Sequence, residues 1–467
     1  MISIDDIRRL QTAGFMNLKF KSAESVSTDS RSVSGGQVFF ALRGENFNGH
    51  DFVRAAIDRG AVCAVVDRKW YEDNSAHVSD LPLVIVENTI GALGRLAQIY
   101  RSKFEIPVIA VGGSNGKTTT KEMVARVLAR KFKVLKTSGN HNNQIGVPLT
   151  ILRLTRTHEA AVVEIGTNQP GEIRRLCEYL RPTAGLVTNI GSEHLEFFRS
   201  IAGVKKEEGQ LYKHLSGTGG LAFVNMDDES VAEMAEGVRL KFRYGFSGGA
   251  KTRREVEGRL FGFDSSGRAL FEIKYGGKTE LVHLAVPGVH NAFNALSAAA
   301  VGFHYGIGAF EIKKALEGYR SFEKRMELLK IRGITILNDT YNSNPESAIA
   351  ALSWLSMVKS KGKRIVAMAD MLELGKSSKR EHQRVGKRIA REKFDYLFTF
   401  GDMAAEIRNA ADSKLESESF ADKKELSEKL LRTVAPGDVV LVKGSRGMKM
   451  EEVVNALVEG LENRGGR

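Results

Sequence analysis

The chain has 467 residues, and its content of 42% hydrophobic and 27% charged residues suits a soluble globular protein of about three domains. No apolar run approaches the roughly 20 residues of a membrane span, and the N-terminal segment MISIDDIRRLQ is too polar for a signal peptide. The net charge of +13 is spread over amphipathic helices and is not gathered in an arm or tail, which favours solvated helix faces over a nucleic-acid-binding surface.

The two cysteines, Cys63 and Cys177, both lie in apolar patterns. Such patterns indicate buried thiols in a reducing compartment more readily than a disulfide or a metal pair. We therefore expect a cytoplasmic protein.

The first predicted domain, residues 1–87, contains short strands separated by turns. The segments GQVFFAL, AVCAVV and LPLVIVE are rich in apolar and β-branched residues, and HDFVRAAIDRG has helical spacing. A linking helix from about Thr89 to Lys103 leads to the next domain.

The second predicted domain, residues 88–318, alternates strands with amphipathic stretches. Its strand segments are VIAV, AAVVEIG, GLVTNIG and GLAFVN, and this alternation predicts an α/β domain with a doubly wound parallel sheet. Near residues 258–287 the pattern changes to alternating residues with turn pairs, which predicts antiparallel hairpins appended to the sheet.

The third predicted domain, residues 319–467, starts a new series of strands and helices. The segments ITILNDT, RIVAMAD, YLFTFG and DVVLVKG are each followed by a helical pattern, which predicts a Rossmann-like α/β domain. The chain as a whole is therefore predicted to be a three-domain α/β protein.

The segment PVIAVGGSNGKTTTKEM joins a predicted buried strand to a predicted helix through a glycine-rich turn. Such a turn points backbone N–H groups inward, and the helix dipole adds a preference for anions. Lys117 would then reach the β- and γ-phosphates of a nucleotide, and Thr118 would hold magnesium. The turn departs from the Walker A spelling, because Val111 stands where a glycine is expected. The alternative is a glycine-rich turn that binds nothing.

Polar residues also follow two other predicted strands of this domain. Glu164 ends one strand and His194 lies just beyond another, and ligands gather at the carboxyl ends of parallel strands. Together with Thr118, this carboxylate and this imidazole predict a magnesium site. Taken singly, each could be a structural residue. The loop at residues 137–150, TSGNHNNQIGVPLT, is a further candidate, with turn-forming asparagines as its alternative.

Eight blocks of the sequence occur in an order and spacing that resembles a known family. They are GGSNGKTTTKEM, GNHNNQIGVPLT, EIGTNQPGEI, TNIGSEHLEFF, GVHNAFNALSAAA, RMELL, NDTYNSNP and ADMLELG. The chain is similar over nearly its whole length to the Mur ligases of bacterial cell-wall synthesis, and most closely to those that act on a UDP-linked tripeptide and D-alanyl-D-alanine. This family writes its phosphate loop G-x-x-G-K-T, so Val111 fits it.

The resemblance implies an ATP- and magnesium-dependent ligase. ATP would phosphorylate the carboxylate of UDP-N-acetylmuramoyl-tripeptide, and the amine of D-alanyl-D-alanine would attack the acyl phosphate. The enzyme would act by positioning and charge neutralisation. The likeness also implies a monomer whose second and third domains close on ATP, as in other lidded enzymes.

The resemblance also implies roles for individual residues. The nucleotide site would comprise Gly113, Ser114, Asn115, Gly116, Lys117, Thr118, Thr119, Asn291, Asn294, Arg325 and Asp339. The metal ligands would be Thr118, Glu164, His194 and Glu208. Substrates would contact Ser30, Arg31 and the RGENFNGHDF loop in the first domain, Asn143 in the second, and Lys443 and Ser445 in the third. Arg31 could instead be a plain surface residue.

One position departs from the family pattern. Many Mur ligases carry a carbamylated lysine shortly after the His194 block, and here Glu208 occupies its place. Lys205 and Lys206 fall two or three positions early, on another helix face. We expect Glu208 to supply the carboxylate directly, with the alternative that Lys206 is modified and Glu208 is exposed.

The sequence leaves three alternative functions. A sister ligase of the same superfamily, or a folylpolyglutamate synthase, is the nearest alternative, but the NDTYNSNPES and ADMLELG blocks favour the D-alanyl-D-alanine enzyme. A scaffold without catalysis is disfavoured by the intact Lys117, Thr118, Glu164 and His194. A nucleic-acid motor is favoured only by net charge.

Overall fold

The computed structural model describes residues 1–10, 12–44, 47–246, 253–321, 324–411 and 415–464. The chain forms two compact units. The first comprises Met1–Ala110, Phe132–Thr167 and Gly171–Gly185, and the second comprises Val111–Lys131, Asn168–Pro170 and Leu186–Arg467. Within the described ranges, no helix is both long and apolar enough to cross a membrane.

The N-terminal part of the chain forms a small α/β sheet followed by a long helix. Its elements are β1 (Ile2–Ser3), α1 (Ile4–Arg8), β2 (Thr12–Met16), β3 (Ser22–Ala23), β4 (Val26–Ser27), β5 (Val38–Phe40), α2 (Val53–Asp58), β6 (Cys63–Asp67), α3 (Arg68–Asn74), β7 (Leu83–Val86) and α4 (Thr89–Arg101). Five strands pair in the order β2-β7-β6-β5-β4, with β2 antiparallel to β7 and the others parallel.

The middle of the chain begins with the strand and helix that flank the glycine-rich turn. Its elements are β8 (Val108–Gly112), α5 (Lys117–Leu128), β9 (Val134–Lys136), α6 (Gly146–Ile151), β10 (Ala160–Glu164), α7 (Glu172–Leu180), β11 (Ala184–Val187), α8 (Leu195–Phe198), α9 (Ile201–Glu208), α10 (Gln210–Thr218), β12 (Leu221–Asn225), α11 (Glu229–Met234), β13 (Leu240–Phe246), β14 (Val256–Phe263), β15 (Arg268–Tyr275), β16 (Lys278–Pro287), α12 (Val289–His304) and α13 (Ala309–Glu317).

These strands form a nine-stranded sheet in the order β16-β15-β14-β13-β12-β11-β8-β10-β9. β12, β13 and β14 are parallel neighbours, and β14, β15 and β16 are joined by antiparallel hairpins. The helix α12 is buried along most of its length and packs against α5, which fixes the helix that follows the turn. The predicted parallel sheet with an antiparallel extension is confirmed.

The C-terminal part is a six-stranded sheet covered by helices on both faces. Its elements are β17 (Glu327–Ile331), β18 (Ile334–Asp339), α14 (Pro345–Met357), β19 (Arg364–Ala369), α15 (Ser378–Ile389), β20 (Tyr396–Phe400), α16 (Ala405–Ala410), β21 (Glu416–Phe420), α17 (Lys423–Thr433), β22 (Val439–Lys443) and α18 (Glu451–Asn463). The strand order is β17-β18-β22-β19-β20-β21.

Successive residues of the central strand β22 enter different cores, as a strand buried on both faces requires. Val439 and Leu441 pack with α14 and α15, whereas Val440 and Val442 pack with α17 and α18. Because β18 and β22 are parallel and in register, Asp339 and Lys443 lie side by side at their carboxyl ends.

Candidate active site

The glycine-rich turn after β8 is shaped by two residues with positive φ. Gly113 has φ of 110°, and a Cβ there would lie 2.3 Å from Oγ1 of Thr188. Gly116 has φ of 81° and precedes the first residue of α5, and a Cβ there would lie 2.6 Å from Oδ1 of Asn294. Only glycine combines this backbone conformation with so close an approach, so both positions require it.

The segment after β11 holds the turn in place. The amide of Asn115 donates to Oδ1 of Asn189 at 3.1 Å, and its carbonyl accepts from Oγ1 of Thr188 at 2.7 Å and Nδ2 of Asn189 at 2.9 Å. The amide of Ser114 donates to the carbonyl of Asn189 at 2.9 Å. Hydrogen bonds within the protein therefore hold the turn in a defined conformation.

Lys117 is the first residue of α5, and its side chain folds back toward the turn. Its Nζ contacts the carbonyl of Gly113 closely, the carbonyl of Ser114 at 3.4 Å and Oε2 of Glu193 at 3.1 Å. Lys117 and Glu193 are both largely buried. The next two helix residues, Thr118 and Thr119, are buried in the first turn of α5.

Glu208, at the end of α9, reaches the same turn. Its side chain is fully buried, and Oε2 accepts a 2.7 Å hydrogen bond from the amide of Gly113. Burial, followed by the negative charge of Glu193, raises the pKa of Glu208 to about 8. Lys206 is exposed and Lys205 pairs with Glu233. Glu208 is therefore buried and not exposed, and its role as a direct carboxylate donor stays a prediction.

His194 lies beyond β11 with a left-handed backbone, φ 46°. Its Nδ1 is 2.7 Å from Oε2 of Glu373, which lies in the ADMLELG segment of the third domain. The close approach of His194 lowers the pKa of Glu373. The imidazole is therefore held by a carboxylate that the sequence did not single out.

Two further contacts bring the third domain to the turn. Nδ2 of Asn344, the cap of α14, donates to Oδ1 of Asn115 at 2.9 Å. Glu346 accepts from the amide of Ser192 at 3.0 Å and from its hydroxyl at 3.2 Å. Asn344 and Glu346 belong to the NDTYNSNPES block, whose role at the turn was not predicted.

Glu164 and Asn143 belong to the first unit. Glu164 is buried at the end of β10, where Oε1 accepts from Nδ2 of Asn142 at 2.8 Å and the backbone amide donates to Oγ1 of Thr137 at 3.0 Å. Oδ1 of Asn143 accepts from the amides of Ile145 and Gly146 at 3.1 and 2.9 Å, which caps the start of α6. Asn143 thus has the turn-forming role that was its alternative, and its contact with substrate stays a prediction.

Asn291 and Asn294 are buried on α12 and hydrogen-bond to each other. Nδ2 of Asn291 donates to the carbonyl of Pro287 at 2.7 Å, and Nδ2 of Asn294 donates to Oδ1 of Asn291 at 3.1 Å. Oγ1 of Thr120 donates to Oδ1 of Asn294 at 3.1 Å. The pair therefore braces α5 directly behind the turn.

The third-domain candidates form a cluster at the ends of β18 and β22. Nζ of Lys443 donates to Oδ2 of Asp339 at 2.6 Å and to the carbonyl of Asn342 at 2.9 Å. Lys443 and Ser445 are buried, and the Ser445 hydroxyl donates to the carbonyl of Ser343 at 3.1 Å. The ammonium group of Lys443 and the hydroxyl of Ser445 thus both hydrogen-bond within the protein, where they stabilise the carboxyl ends of these strands.

Arg325 is positioned at the same edge. Its guanidinium lies 3.7 Å from the ring centroid of Tyr341, a cation–π contact, and the backbone amide of the following Met326 donates to Oδ1 of Asp339 at 3.0 Å. Arg325 and Asp339 are therefore close neighbours, and their contact with nucleotide stays a prediction.

The first-domain candidates differ in exposure: Arg31 is exposed, whereas Ser30 is partly buried. Arg31 pairs with Asp29 at 2.7 Å, and Arg59 donates to the carbonyls of Ser30 and Arg31 at 3.1 and 2.9 Å. In the RGENFNGHDF loop, Glu45 and Asn46 lie outside the described residues. His50 of that loop is buried, and its Nε2 accepts from the amide of Asp67 at 3.0 Å.

The site consists of a glycine-rich turn after a buried strand, a lysine at the start of the next helix, and a carboxylate that accepts a hydrogen bond from a backbone amide of the turn. This arrangement defines a phosphate-loop α/β protein. Three family models match the chain: the Mur ligase family catalytic domain at residues 22–101, the Mur ligase middle domain at 111–302, and the Mur ligase glutamate ligase domain at 324–446.

Curated relatives match nearly end to end. The chain is 34% identical over 438 residues to the UDP-N-acetylmuramoyl-tripeptide–D-alanyl-D-alanine ligase of Bacillus subtilis, covering 93% of each chain. It is 35% identical over 439 residues to the Escherichia coli enzyme of the same name, covering 93% of this chain and 94% of that one. The chain belongs to the Mur ligase family.

Solved structures agree with this assignment. A crystal structure of MurF from Acinetobacter baumannii has a TM-score of 0.87 at 29% identity and covers 98% of both chains. MurF ligase from Thermotoga maritima in complex with ADP has a TM-score of 0.83 at 28% identity, covering 94% of this chain and 98% of that one. The predicted family and three-domain α/β fold class are thereby confirmed.

Proposed function

We propose that the protein is an ATP-dependent ligase that joins D-alanyl-D-alanine to UDP-N-acetylmuramoyl-tripeptide. The phosphate loop carries this proposal, since Lys117 and the Glu208-bound amide of Gly113 lie in a chain that matches ligases of this name over 93% of its length. The ADP complex of the Thermotoga maritima structure supports the use of a nucleotide by such a fold.

The proposed chemistry proceeds through an acyl phosphate. The terminal phosphoryl group of ATP passes to the tripeptide carboxylate, giving ADP. The dipeptide amine attacks the activated carbonyl carbon, inorganic phosphate leaves, and the nitrogen loses a proton as the amide forms. Lys117 and the loop amides stabilise the charge on the phosphoryl oxygens.

We propose Thr118, Glu164, His194 and Glu208 as the donors for magnesium, which when bound neutralises phosphate oxygens. Hydroxyl, carboxylate and imidazole groups fit this role. In the described part of the chain, Oε1 of Glu208 is a buried acceptor without a hydrogen-bond partner, as an oxygen reserved for a cation would be. Over the same residues, no cluster of three or more acidic, histidine or cysteine side chains forms a metal site by itself.

We further assign the substrate contacts by domain. Ser30, Arg31 and the following loop would receive the uridine diphosphate, where Arg31 and Arg59 offer exposed guanidinium groups. The third-domain edge around Lys443 and Ser445 would receive the dipeptide, and Asn291, Asn294, Arg325 and Asp339 would line the nucleotide. A monomer acting in the cytoplasm completes the proposal.

The test is phosphate release from ATP and magnesium with each substrate supplied singly and together. Release that requires both UDP-N-acetylmuramoyl-tripeptide and D-alanyl-D-alanine is the expected result. Comparing tripeptides ending in lysine or diaminopimelate then identifies the third residue. Phosphate release that does not depend on either substrate would be consistent with the nucleotide site but would overturn the substrate assignment.

A further inference from the structure

The ammonium group of Lys117 has an anionic partner within the protein itself. Its Nζ lies 3.1 Å from Oε2 of Glu193 and also contacts the carbonyl of Gly113. The side chain is thus drawn back onto its own loop. A nucleotide phosphate that binds the loop needs the same ammonium group.

Glu193 is held in this position by its surroundings. It is 7% exposed, and its backbone amide donates to the carbonyl of Gly191 at 3.0 Å. The preceding Ser192 is fixed through its amide and hydroxyl by Glu346. Among the described residues, Oε1 of Glu193 is buried without a hydrogen-bond partner, so Lys117 is its principal counter-charge.

We propose that Glu193 competes with nucleotide phosphate for Lys117 and thereby sets the affinity of the loop for phosphate-bearing nucleotides. This inference rests on the proposed use of ATP at this loop. Binding of a phosphate exchanges one charge-assisted hydrogen bond of Lys117 for another. It also leaves the Glu193 carboxylate buried close to the incoming anion, where like charges repel.

If Glu193 competes with phosphate in this way, removing its charge should strengthen nucleotide binding and not weaken it. Glu193→Gln keeps the shape of the side chain and an oxygen for Lys117 but removes the competing charge. We expect ADP to bind this variant roughly tenfold more tightly than the natural protein, the equivalent of one charge-assisted hydrogen bond. Adenosine, which carries no phosphate, should bind both proteins equally. A residue that merely supports the loop would weaken ADP binding when changed.

The experiment is isothermal titration of ADP and adenosine into the full chain, with magnesium present and with magnesium chelated. Glu196→Gln is the matched control, because it removes one exposed carboxylate from the same segment. The ADP affinity of this control should stay within about twofold of the natural protein. In a Lys117→Gln background the Glu193→Gln exchange should likewise have little effect, because the two residues act as a pair.

Weaker or unchanged ADP binding by Glu193→Gln would overturn the inference, as would an equal gain in the Glu196→Gln control. If Glu193→Gln does not fold by circular dichroism, Glu193→Asp takes its place, because the shorter carboxylate holds Lys117 less closely and should give a smaller gain. Failure of the natural protein to bind ADP at all would instead contradict the proposed function.

Discussion

At the scale of single residues, Gly113 is the position where the phosphate loop tolerates least change. A Cβ there would lie 2.3 Å from Oγ1 and 2.7 Å from the backbone nitrogen of Thr188, at a φ of 110°. Gly113→Ala should therefore destabilise the protein by about 2 kcal/mol or more and abolish ADP binding. Chemical denaturation and ADP titration measure the two effects.

Gly219→Ala is the control for that exchange. Gly219 also has a positive φ, 73°, but a Cβ there would meet no heavy atom within 4 Å. Its cost should be limited to backbone strain of about 1 kcal/mol, with ADP affinity unchanged. Equal losses in both variants would show that backbone conformation, and not the contact with Thr188, makes glycine necessary at position 113.

Glu208 provides a second residue-scale prediction. If its carboxylate acts directly, activity of the natural protein should not depend on bicarbonate, because no lysine has to be carbamylated. Glu208→Ala should lose at least about a hundredfold in phosphate release, since it removes both the acceptor for the Gly113 amide and a proposed magnesium donor. Glu208→Lys should regain activity only with added bicarbonate. Bicarbonate-dependent activity of the natural protein would contradict this role.

The sequence identified these residues unequally. Lys117 was singled out because it stands in a spaced motif, and Glu208 because it occupies the position at which the family pattern has a lysine. Glu193 and Glu373 were missed although both lie in quoted blocks. Glu373 lies in a different predicted domain from His194, and periodicity carries no information about which distant side chains meet. The sequence did offer one signal for Glu193, namely its position directly before the predicted metal ligand His194.

At the scale of elements, helix α14 joins the third domain to the hairpin between β14 and β15. The fully buried Trp354 donates from Nε1 to the carbonyl of Ser266 at 3.0 Å, beside Gly267. Trp354→Ala should lower the free energy of unfolding by roughly 3–5 kcal/mol, and Trp354→Phe by about 1–2 kcal/mol, because it loses the hydrogen bond and some volume. Denaturant titration measures both.

The other tryptophan, Trp70, supplies the control. It is partly exposed in the first domain, so Trp70→Phe should change the free energy of unfolding by less than about 1 kcal/mol. A Trp354→Ala loss as small as that of Trp70→Phe would show that α14 does not depend on this contact.

Element prediction succeeded where strands are buried and continuous. Strands β8, β19 and β22 are runs of apolar residues, and each was predicted. In the second and third domains, strands β9, β13, β17 and β21 were not predicted, because β9 has only three residues and the other three are only partly buried. β21, with the sequence ESESF, is mainly polar, so only its pairing with β20 makes it a strand.

At the scale of the whole molecule, the contacts of α14 make closure of the third domain testable. Glu346 accepts two hydrogen bonds from Ser192, and Asn344, two residues earlier, donates to Asn115 of the phosphate loop. Both anchors belong to one end of α14. A single change at that end should therefore alter how often the third domain rests on the loop.

Glu346→Ala removes the Ser192 contacts together with the ion pair between Glu346 and Arg384. Arg384→Ala removes that ion pair and the one between Arg384 and Glu381, but it leaves the Ser192 contacts in place. We expect small-angle scattering of ligand-free Glu346→Ala to give a larger radius of gyration than the natural protein, and Arg384→Ala to match the natural protein. Adding a non-hydrolysable ATP analogue with the UDP-linked substrate should change the scattering of the natural protein, because a closed arrangement excludes water from the acyl phosphate. Profiles that are the same with and without ligands, and the same in both variants, would show that the third domain does not move and that α14 does not control it.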